Sequence, residues 1–366
     1  MKIALSLESF DARRGGLEKW TWDFSSSLIR RGHEVHVAAF FFAENAASIG
    51  IHPHLLDGDA SRLQRAERLE QRLRELNADL VHDMGCGWWA DLFHPHGGST
   101  LAWREQNLRR IPAWRRLWFL PEKRHREQRE IERRQCAGAA RIVAVSKMTR
   151  GHFETLHGVP RARLPLIYNG VDVQKFLPVS RPPRNETVFL FLAHNLALKN
   201  AATALRALAR LKKEGCPARL IIAGSDKISR CERLANRLGI SDSVQFRGRV
   251  EDVPSLHAEA DVCVHPTWYD PCSLVTLEAL ASGLPVITTR CNGASELLRE
   301  GGHGFILDDP ADDAALAEKM RALLDFSLRQ KMGGNARALA LEHSLERNVE
   351  EFLALYEEVR RGKVSL

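Results

Sequence analysis

One stretch of the sequence decides the fold: Asp261-Val-Cys-Val-His-Pro-Thr-Trp-Tyr-Asp-Pro-Cys-Ser-Leu-Val-Thr-Leu-Glu278. Its opening run of apolar residues predicts a buried strand, and Pro266 and Pro271 mark turns. An apolar helix is predicted over residues 273–281. A strand, a loop and a helix start in this order are typical of the ligand side of an α/β domain, because the first amide N–H groups of a helix have no acceptor within it.

Two carboxylates bracket this helix start, Asp270 before it and Glu278 two turns into it. An acid before a helix is ordinarily a capping residue, and that explanation of Asp270 stays open. Glu278 lies in an otherwise apolar helix, where an acid is costly unless it has a partner. A vicinal diol, such as that of a ribose, would supply one. The N–H groups offered to a ligand at the helix start are those of Cys272, Ser273 and Leu274.

The chain has 366 residues, too many for one ordinary core, and two domains are therefore expected. An apolar content of 44% is that of a soluble globular protein. Seven cysteines without a C-x-x-C pattern indicate reduced thiols in a cytoplasm. Neither a signal peptide nor a membrane-spanning run of about 20 apolar residues is expected.

Apolar runs and helical periodicities alternate along both halves of the chain, which predicts parallel, doubly wound α/β sheets. The predicted strands cover residues 2–6, 33–42, 51–56, 79–83, 141–147, 187–193, 219–223, 244–250, 261–265 and 285–289. The predicted helices cover residues 17–31, 60–76, 201–213, 273–281, 312–340 and 345–361.

Two further places in the first half fit a ligand. The pair Gly15-Gly16 opens a predicted helix after the first strand, and paired glycines let a phosphate or a sugar come close to the backbone. A plain strand-to-helix turn also explains the pair, which is not the G-x-G-x-x-G of a dinucleotide fold. His96, with His94 as the reserve, lies just beyond a predicted strand, where α/β folds place ligand contacts.

The net charge of +7 is concentrated in residues 103–134, called here the basic segment. It holds eleven Arg or Lys and five Glu, a surplus of six, together with three tryptophans. Three explanations stay open: a membrane-surface helix, a solvated helix whose tryptophans cover the sheet, or an RNA-binding surface. The residues chosen as membrane or acceptor contacts are Arg104, Arg109, Arg110, Trp114, Arg115, Arg116 and Trp118.

The sequence of residues 270–286, Asp-Pro-Cys-Ser-Leu-Val-Thr-Leu-Glu-Ala-Leu-Ala-Ser-Gly-Leu-Pro-Val, is similar to the E-x7-E segment of retaining GT-B glycosyltransferases of family 4. Asn169-Gly-Val-Asp172 resembles the end of the first domain in that family. The resemblance covers nearly the whole chain and is nearest to the enzymes that add glucose to the lipopolysaccharide core. It implies the GT-B fold, two Rossmann-like doubly wound domains facing a cleft. The implied parts are an acceptor domain over 1–177, a linker over 178–186, a sugar-nucleotide domain over 187–344 and a helix over 345–366 crossing back.

The resemblance implies transfer of a hexose, with UDP-hexose favoured as donor, to a hydroxyl of a lipid-linked glycan such as lipopolysaccharide core. It also implies retained anomeric configuration, no cofactor and a location on the inner face of the cytoplasmic membrane. It favours an anionic membrane, rather than nucleic acid, as the partner of the basic segment. The alternatives are a sugar-nucleotide 2-epimerase and a catalytically silent sugar-nucleotide-binding protein of the same fold.

The resemblance assigns catalytic roles to Asp270, His96 and Lys199. Asp270, one methylene shorter than the family's glutamate, would contact the sugar, and Glu278 the ribose hydroxyls. Lys199 would neutralise the leaving diphosphate. Asn200 stands where the family has glycine. The other implied donor-binding residues are Gly15, Gly16, His194 (an arginine in the family), Asn195, Gly224 and Arg249.

No metal site is predicted. The sequences His52-Pro-His54 and His94-Pro-His96 contain good metal ligands, but we recognise no further ligand residues for either in the sequence. In the proposed donor site, Lys199 and the helix start take the part of a cation.

Overall fold

The computed structural model describes residues 1–111, 123–138, 140–180, 183–224 and 228–364. The chain forms two compact units. The first unit contains Met1–Tyr168 and Glu346–Leu366, and the second contains Asn169–Leu345. Each unit holds one six-stranded sheet in which every strand pair is parallel, so the α/β class expected from the sequence is confirmed.

The sheet of the first unit has the order β3-β2-β1-β4-β5-β6. Its strands are β1 Lys2–Leu7, β2 Glu34–Ala39, β3 His52–Leu55, β4 Leu80–Asp83, β5 Leu92–Phe93 and β6 Arg141–Ile142. The helices packed around it are Gly16–Arg30, Arg62–Leu76, Thr100–Arg109, Lys123–Ala137, Lys147–His157 and, from the end of the chain, Leu345–Val364. The last of these is held here partly because Trp20 Nε1 donates to Asn348 Oδ1 at 3.1 Å.

The sheet of the second unit has the order β12-β11-β10-β7-β8-β9. Its strands are β7 Thr187–Leu192, β8 Ala218–Ala223, β9 Val244–Gly248, β10 Val262–His265, β11 Val286–Thr289 and β12 Gly304–Leu307. Its helices are Ala201–Lys213, Ile228–Leu238, Val253–Glu259, Leu274–Ala281, Asp313–Ala322 and Phe326–Glu342. The leucines spaced along Ala201–Lys213 are fully buried against the sheet, which is how its helical periodicity forms the core.

Both sheets have the strand order of a dinucleotide-binding fold, with the first strand of each unit at the centre. The second and third strands of each unit lie on one side of that central strand, and the fourth, fifth and sixth strands lie on its other side. The loops after β1 and β4, and after β7 and β10, therefore diverge at the carboxyl ends of the strands. Folds of this kind bind ligands at that switch point.

Two predicted elements differ from the structure. The single helix expected over 312–340 is wrong, because it is two helices, Asp313–Ala322 and Phe326–Glu342. The Asp325 side chain accepts a hydrogen bond from the Leu328 N–H and starts the second helix, so a local cap outweighs the continuous apolar pattern. The strand expected over 141–147 is shorter, Arg141–Ile142, and the Ser146 side chain caps the next helix, so residues 146 and 147 belong to the helix start.

Candidate active site

Lys199 and Asp270 meet where the loops after β7 and β10 leave the second sheet. The loops are joined by a hydrogen bond from the Trp268 N–H to the Leu198 carbonyl at 3.0 Å. Lys199 Nζ lies 2.7 Å from Asp270 Oδ2 and also donates to the Tyr269 carbonyl at 3.0 Å. The two charged side chains are only 18% and 13% exposed. The sequence resemblance chose both residues, and the structure shows that they form one ion pair.

His265, the last residue of β10, is the third member of this group and was missed by the sequence analysis. Its Nε2 lies 3.3 Å from Asp270 Oδ2, the oxygen that also meets Lys199. Burial alone would raise the pKa of Asp270, but the charge of Lys199 and the hydrogen bond with His265 outweigh it and hold that pKa well below its usual range. Asp270 is therefore a carboxylate at neutral pH.

The site helix, Leu274–Ala281, begins beside this ion pair. Ser273 caps it, and the Ser273 N–H donates to Asn292 Oδ1 at 3.2 Å. The expectation that this N–H is offered to a ligand is therefore wrong, because a buried side chain already accepts it. Within the described part of the chain, the N–H groups of Cys272 and Leu274 have no acceptor. The helix start keeps these two expected donors.

Asn292 fixes the start of the site helix. This fully buried side chain accepts hydrogen bonds from the N–H groups of Ser273 and Ala294. It donates to the hydroxyl oxygens of Thr276 and Thr288, both at 3.0 Å. The side-chain amide of Asn292 thus links the start of the site helix to β11 by hydrogen bonds. In the sequence the only signal was the turn pair Asn-Gly, which says nothing about these contacts.

Glu278 lies inside the second unit with 8% of its surface exposed. Its charge adds to burial in raising the pKa of Cys263 to about 12, which places the carboxylate near β10. Burial likewise raises the pKa of Cys272 to about 12. Both thiols therefore stay protonated at neutral pH, in keeping with a packing role rather than a nucleophilic one.

The loop after β7 is built to present Lys199. The Asn195 side chain accepts from the Leu198 N–H at 2.8 Å, and the Asn195 carbonyl accepts from the Lys199 N–H at 2.9 Å. Asn200 follows in the left-handed region with a φ of 68°, and its side chain donates to the Pro310 carbonyl at 2.6 Å. This conformation explains why asparagine can stand where the resembled family has glycine, since it tolerates positive φ better than other side chains do.

His194, Gly224 and Arg249 lie around the same loop. Desolvation lowers the pKa of His194, and the positive charge of Arg249 acts in the same direction, so His194 is a weaker cation than an arginine would be. A Cβ on Gly224 would lie 2.0 Å from the Ala193 carbonyl oxygen. Only glycine lets the end of β8 come this close to the loop.

In the first unit, Gly15 precedes the helix Gly16–Arg30, which has no side-chain cap. Gly15 offers no capping side chain, but the Glu18 carboxylate meets its own backbone N–H in the first turn, so one N–H group that a phosphate-binding turn would use is already engaged. The carboxylate of Glu18 crowds this turn: its Oε2 lies 2.6 Å from where a Cβ of Gly15 would stand. Burial raises the pKa of Glu18. The sequence analysis missed this acid, which would oppose an anion bound at the same turn.

His96 belongs to a stack of three imidazoles at the carboxyl ends of β4 and β5. The His82 and His94 rings are 5.4 Å apart, and the His94 and His96 rings 3.9 Å, measured between centroids. Burial lowers the pKa of His82 and of His96 to about 3. His96 is therefore neutral at pH 7, with its ring 4.8 Å from that of Trp20. His82 Nδ1 lies 2.6 Å from the Tyr356 hydroxyl.

The basic segment is described only in part. Three of its chosen residues lie in or directly after the helix Thr100–Arg109, namely Arg104, Arg109 and Arg110. The other four lie outside the described residues, namely Trp114, Arg115, Arg116 and Trp118. Trp103 stacks on His125 at 4.8 Å, so this tryptophan packs against protein. Among the described helices, none has the length and apolar character that a membrane span requires.

The chain matches two family models, one in each half. The model for Glycosyltransferase Family 4 matches residues 14–175, and the model for Glycosyl transferases group 1 matches residues 172–339. A glycosyltransferase of Methanocaldococcus jannaschii, MJ1607, whose activity is uncharacterised, is 26% identical over 92% of this chain and 93% of its own length. Lipopolysaccharide glucosyltransferase WaaG of Escherichia coli is 35% identical over 33% of each chain.

Solved structures share the fold. A crystal structure of WaaG, a glycosyltransferase involved in lipopolysaccharide biosynthesis, has a TM-score of 0.81 with 21% identity, covering 97% of this chain and 99% of that one. HepE of Anabaena, solved with UDP and glucose, has a TM-score of 0.76 with 20% identity, covering 98% and 100%. Since the two family models together span residues 14–339 and both sheets match these folds, the chain belongs to the GT-B glycosyltransferases and is an enzyme.

Proposed function

We propose that this enzyme transfers a hexose from UDP-hexose to a hydroxyl of a lipid-linked glycan such as lipopolysaccharide core, with retention of anomeric configuration. The main support for a donor site here is the ion pair of Lys199 and Asp270 at the start of the site helix. It places a cation, a carboxylate and helix N–H groups together at the switch point of the second sheet.

The donor diphosphate would take the amide N–H groups of Cys272 and Leu274 and the ammonium of Lys199. As the bond between the anomeric carbon and the diphosphate breaks, negative charge grows on the leaving oxygen, and these fixed donors stabilise it. Asp270, held as a carboxylate, would accept hydrogen bonds from the sugar hydroxyls. Glu278, inside the same helix, would accept from the ribose diol.

The proposed site takes no cofactor and no metal, because Lys199 and the helix start neutralise the diphosphate. UDP is favoured as the carrier, since HepE was solved with UDP and glucose. His194, Asn195, Gly224 and Arg249 would surround the nucleotide. In the first unit, the proposed contacts of the donor sugar are Gly15, Gly16 and the neutral imidazole of His96.

The acceptor is proposed from the name of WaaG, a lipopolysaccharide glucosyltransferase, and from the charge of the basic segment. A surplus of six positive charges suits a glycan that carries phosphate on an anionic membrane. The proposed location is therefore peripheral, on the inner face of the cytoplasmic membrane. Nucleic acid is not a proposed partner.

The test is an assay of the full-length enzyme with UDP-glucose, UDP-galactose and GDP-mannose, with and without a truncated lipopolysaccharide acceptor and with and without magnesium. We expect release of UDP that requires acceptor and not magnesium, and an α-linked product by proton NMR from an α-linked donor. A new sugar nucleotide formed without acceptor would instead show an epimerase. Nucleotide binding without turnover on any acceptor would support the silent binding protein.

A further inference from the structure

Four metal-binding side chains lie on one face at the edge of the first sheet. Glu34 and His36 are alternate residues of β2, and His52 and His54 are alternate residues of β3. The two strands pair in parallel with His36 opposite His52. Because alternate residues of a strand point to the same face, this register brings all four side chains together.

The side chains already touch through their ligand atoms. Glu34 Oε1 lies 2.7 Å from His36 Nε2, and His36 Nδ1 lies 2.9 Å from His54 Nε2. One ligand atom each from Glu34, His36 and His52 lie within 4.8 Å of one another. Ligands of a tetrahedral ion with bonds of about 2.0–2.1 Å stand roughly 3.3 Å apart, so small rotations of exposed side chains suffice to form a site.

We propose that Glu34, His36 and His52 bind one zinc-class transition-metal ion at the β2–β3 edge. Imidazole nitrogen with a single carboxylate is the ligand set that Zn²⁺, Ni²⁺ and Cu²⁺ favour, whereas Ca²⁺ and Mg²⁺ require mostly oxygen. Hard cations such as Ca²⁺ and Mg²⁺ are held mainly by electrostatic attraction, and the nearby positive charges of Lys2 and Arg72 weaken that attraction.

His54 acts as a positioning residue in this site. A metal-bound imidazole usually has its second nitrogen held by another group, which fixes the tautomer and the ring orientation. With His36 Nε2 directed at the ion beside Glu34, the Nδ1 of His36 is held by His54.

The site is separate from the proposed donor site. Glu34 begins β2 and His52 begins β3, so the cluster lies toward the amino ends of the strands. The GT-B ligand loops follow the carboxyl ends. The sequence alone showed no further ligands for His52 and His54. The pairing of β2 with β3 brings Glu34 and His36, which are distant from them in sequence, to the same face.

The test uses tag-free, full-length enzyme freed of metal with a chelator. Zn²⁺ is titrated in competition with a chromophoric chelator, and Co²⁺ binding is followed by its visible absorption. We expect one ion per chain. His36→Ala and His52→Ala should each abolish the competition, while His54→Ala weakens binding by about 10- to 100-fold.

His303→Ala, which removes a histidine of the second unit, is the matched control and should bind as the wild type does. Thermal unfolding with chelator present checks that each variant folds, and added Zn²⁺ should raise the melting temperature of the wild type but not of His36→Ala. Binding that survives His36→Ala and His52→Ala, or a wild type that cannot compete with the chelator, overturns the proposal. Neither result would bear on sugar transfer, which this site does not serve.

Discussion

Replacing Lys199 with methionine should lower kcat/KM for sugar transfer by roughly 100- to 1,000-fold, the usual loss when one fixed donor to a developing negative charge is removed. The ammonium lies 2.7 Å from Asp270 and is the cation that the proposed mechanism aims at the diphosphate. The same change leaves Asp270 as a largely buried carboxylate without its main partner, which typically costs about 3–5 kcal/mol of stability. The measurements are steady-state kinetics and denaturant unfolding.

Two further variants separate catalysis from stability. Lys199→Met combined with Asp270→Asn removes the orphaned charge and should recover most of the lost stability without recovering activity. Lys212→Met, in a helix of the same unit, removes a partly exposed lysine whose ion pair with Glu186 is long at 3.8 Å, and it should change neither property. Wild-type kinetics in Lys199→Met, or activity regained in the double variant, would contradict the role given to Lys199.

The histidine stack of the first unit should make the enzyme sensitive to acid. Burial keeps His82, His94 and His96 neutral in the folded protein, with the pKa of His82 and His96 near 3, whereas the unfolded chain protonates them below about 6.5. The unfolded state then binds more protons, so the free energy of unfolding falls as the pH drops below 6.5. His82 and His96 each contribute a loss of about 1.3 kcal/mol between about pH 7.5 and 5.5, and His94 acts in the same direction.

The carboxyl group of Glu132, in the same unit, opposes this loss. Burial raises the pKa of Glu132 to about 7, so its folded form binds a proton before the unfolded chain does and gains about 2 kcal/mol over the same interval. Other histidines whose pKa burial lowers, such as His157 and His265, add to the loss, so we expect a net fall in the free energy of unfolding from pH 7.5 to 5.5. Denaturant unfolding at the two pH values measures it. Asp270 contributes only at lower pH, because its unfolded pKa is 3.8.

His94→Phe isolates one imidazole. Neither ring nitrogen of His94 has a hydrogen-bond partner among the described residues, so the change leaves no polar group unpaired there. The variant should lose less stability than the wild type does over the interval, and it should be at least as stable as the wild type at pH 7.5. An unchanged pH dependence in His94→Phe would show that this histidine is not held neutral.

Local patterns were enough to predict the α/β class and most elements. The apolar run of β7 and the helical spacing over 201–213 are both observed as expected. Local patterns failed where a cap competes with periodicity, as at Asp325 and Ser146. A capping side chain acts on one or two N–H groups, and a pattern averaged over a window does not resolve it.

The candidate site, too, was predicted only in part from local sequence. Asp270, Glu278 and Lys199 were chosen through residues adjacent in sequence, but their contacts depend on the pairing of β7 with β10. The hydrogen bonds of His265 and Asn292 come from that tertiary arrangement and leave no local signal. The same holds for Glu34 and His36, which meet His52 only because β2 pairs with β3.

The most direct test of the donor site is calorimetric titration of UDP and of 2′,3′-dideoxy-UDP into the wild type and Glu278→Gln. A hydrogen bond to a charged group contributes about 1.5–3 kcal/mol, or roughly 10- to 150-fold in affinity. The account predicts that Glu278→Gln loses this much affinity for UDP and almost none for the dideoxy analogue, which has no diol. Equal losses for both ligands, or no binding of UDP to the wild type, would contradict it.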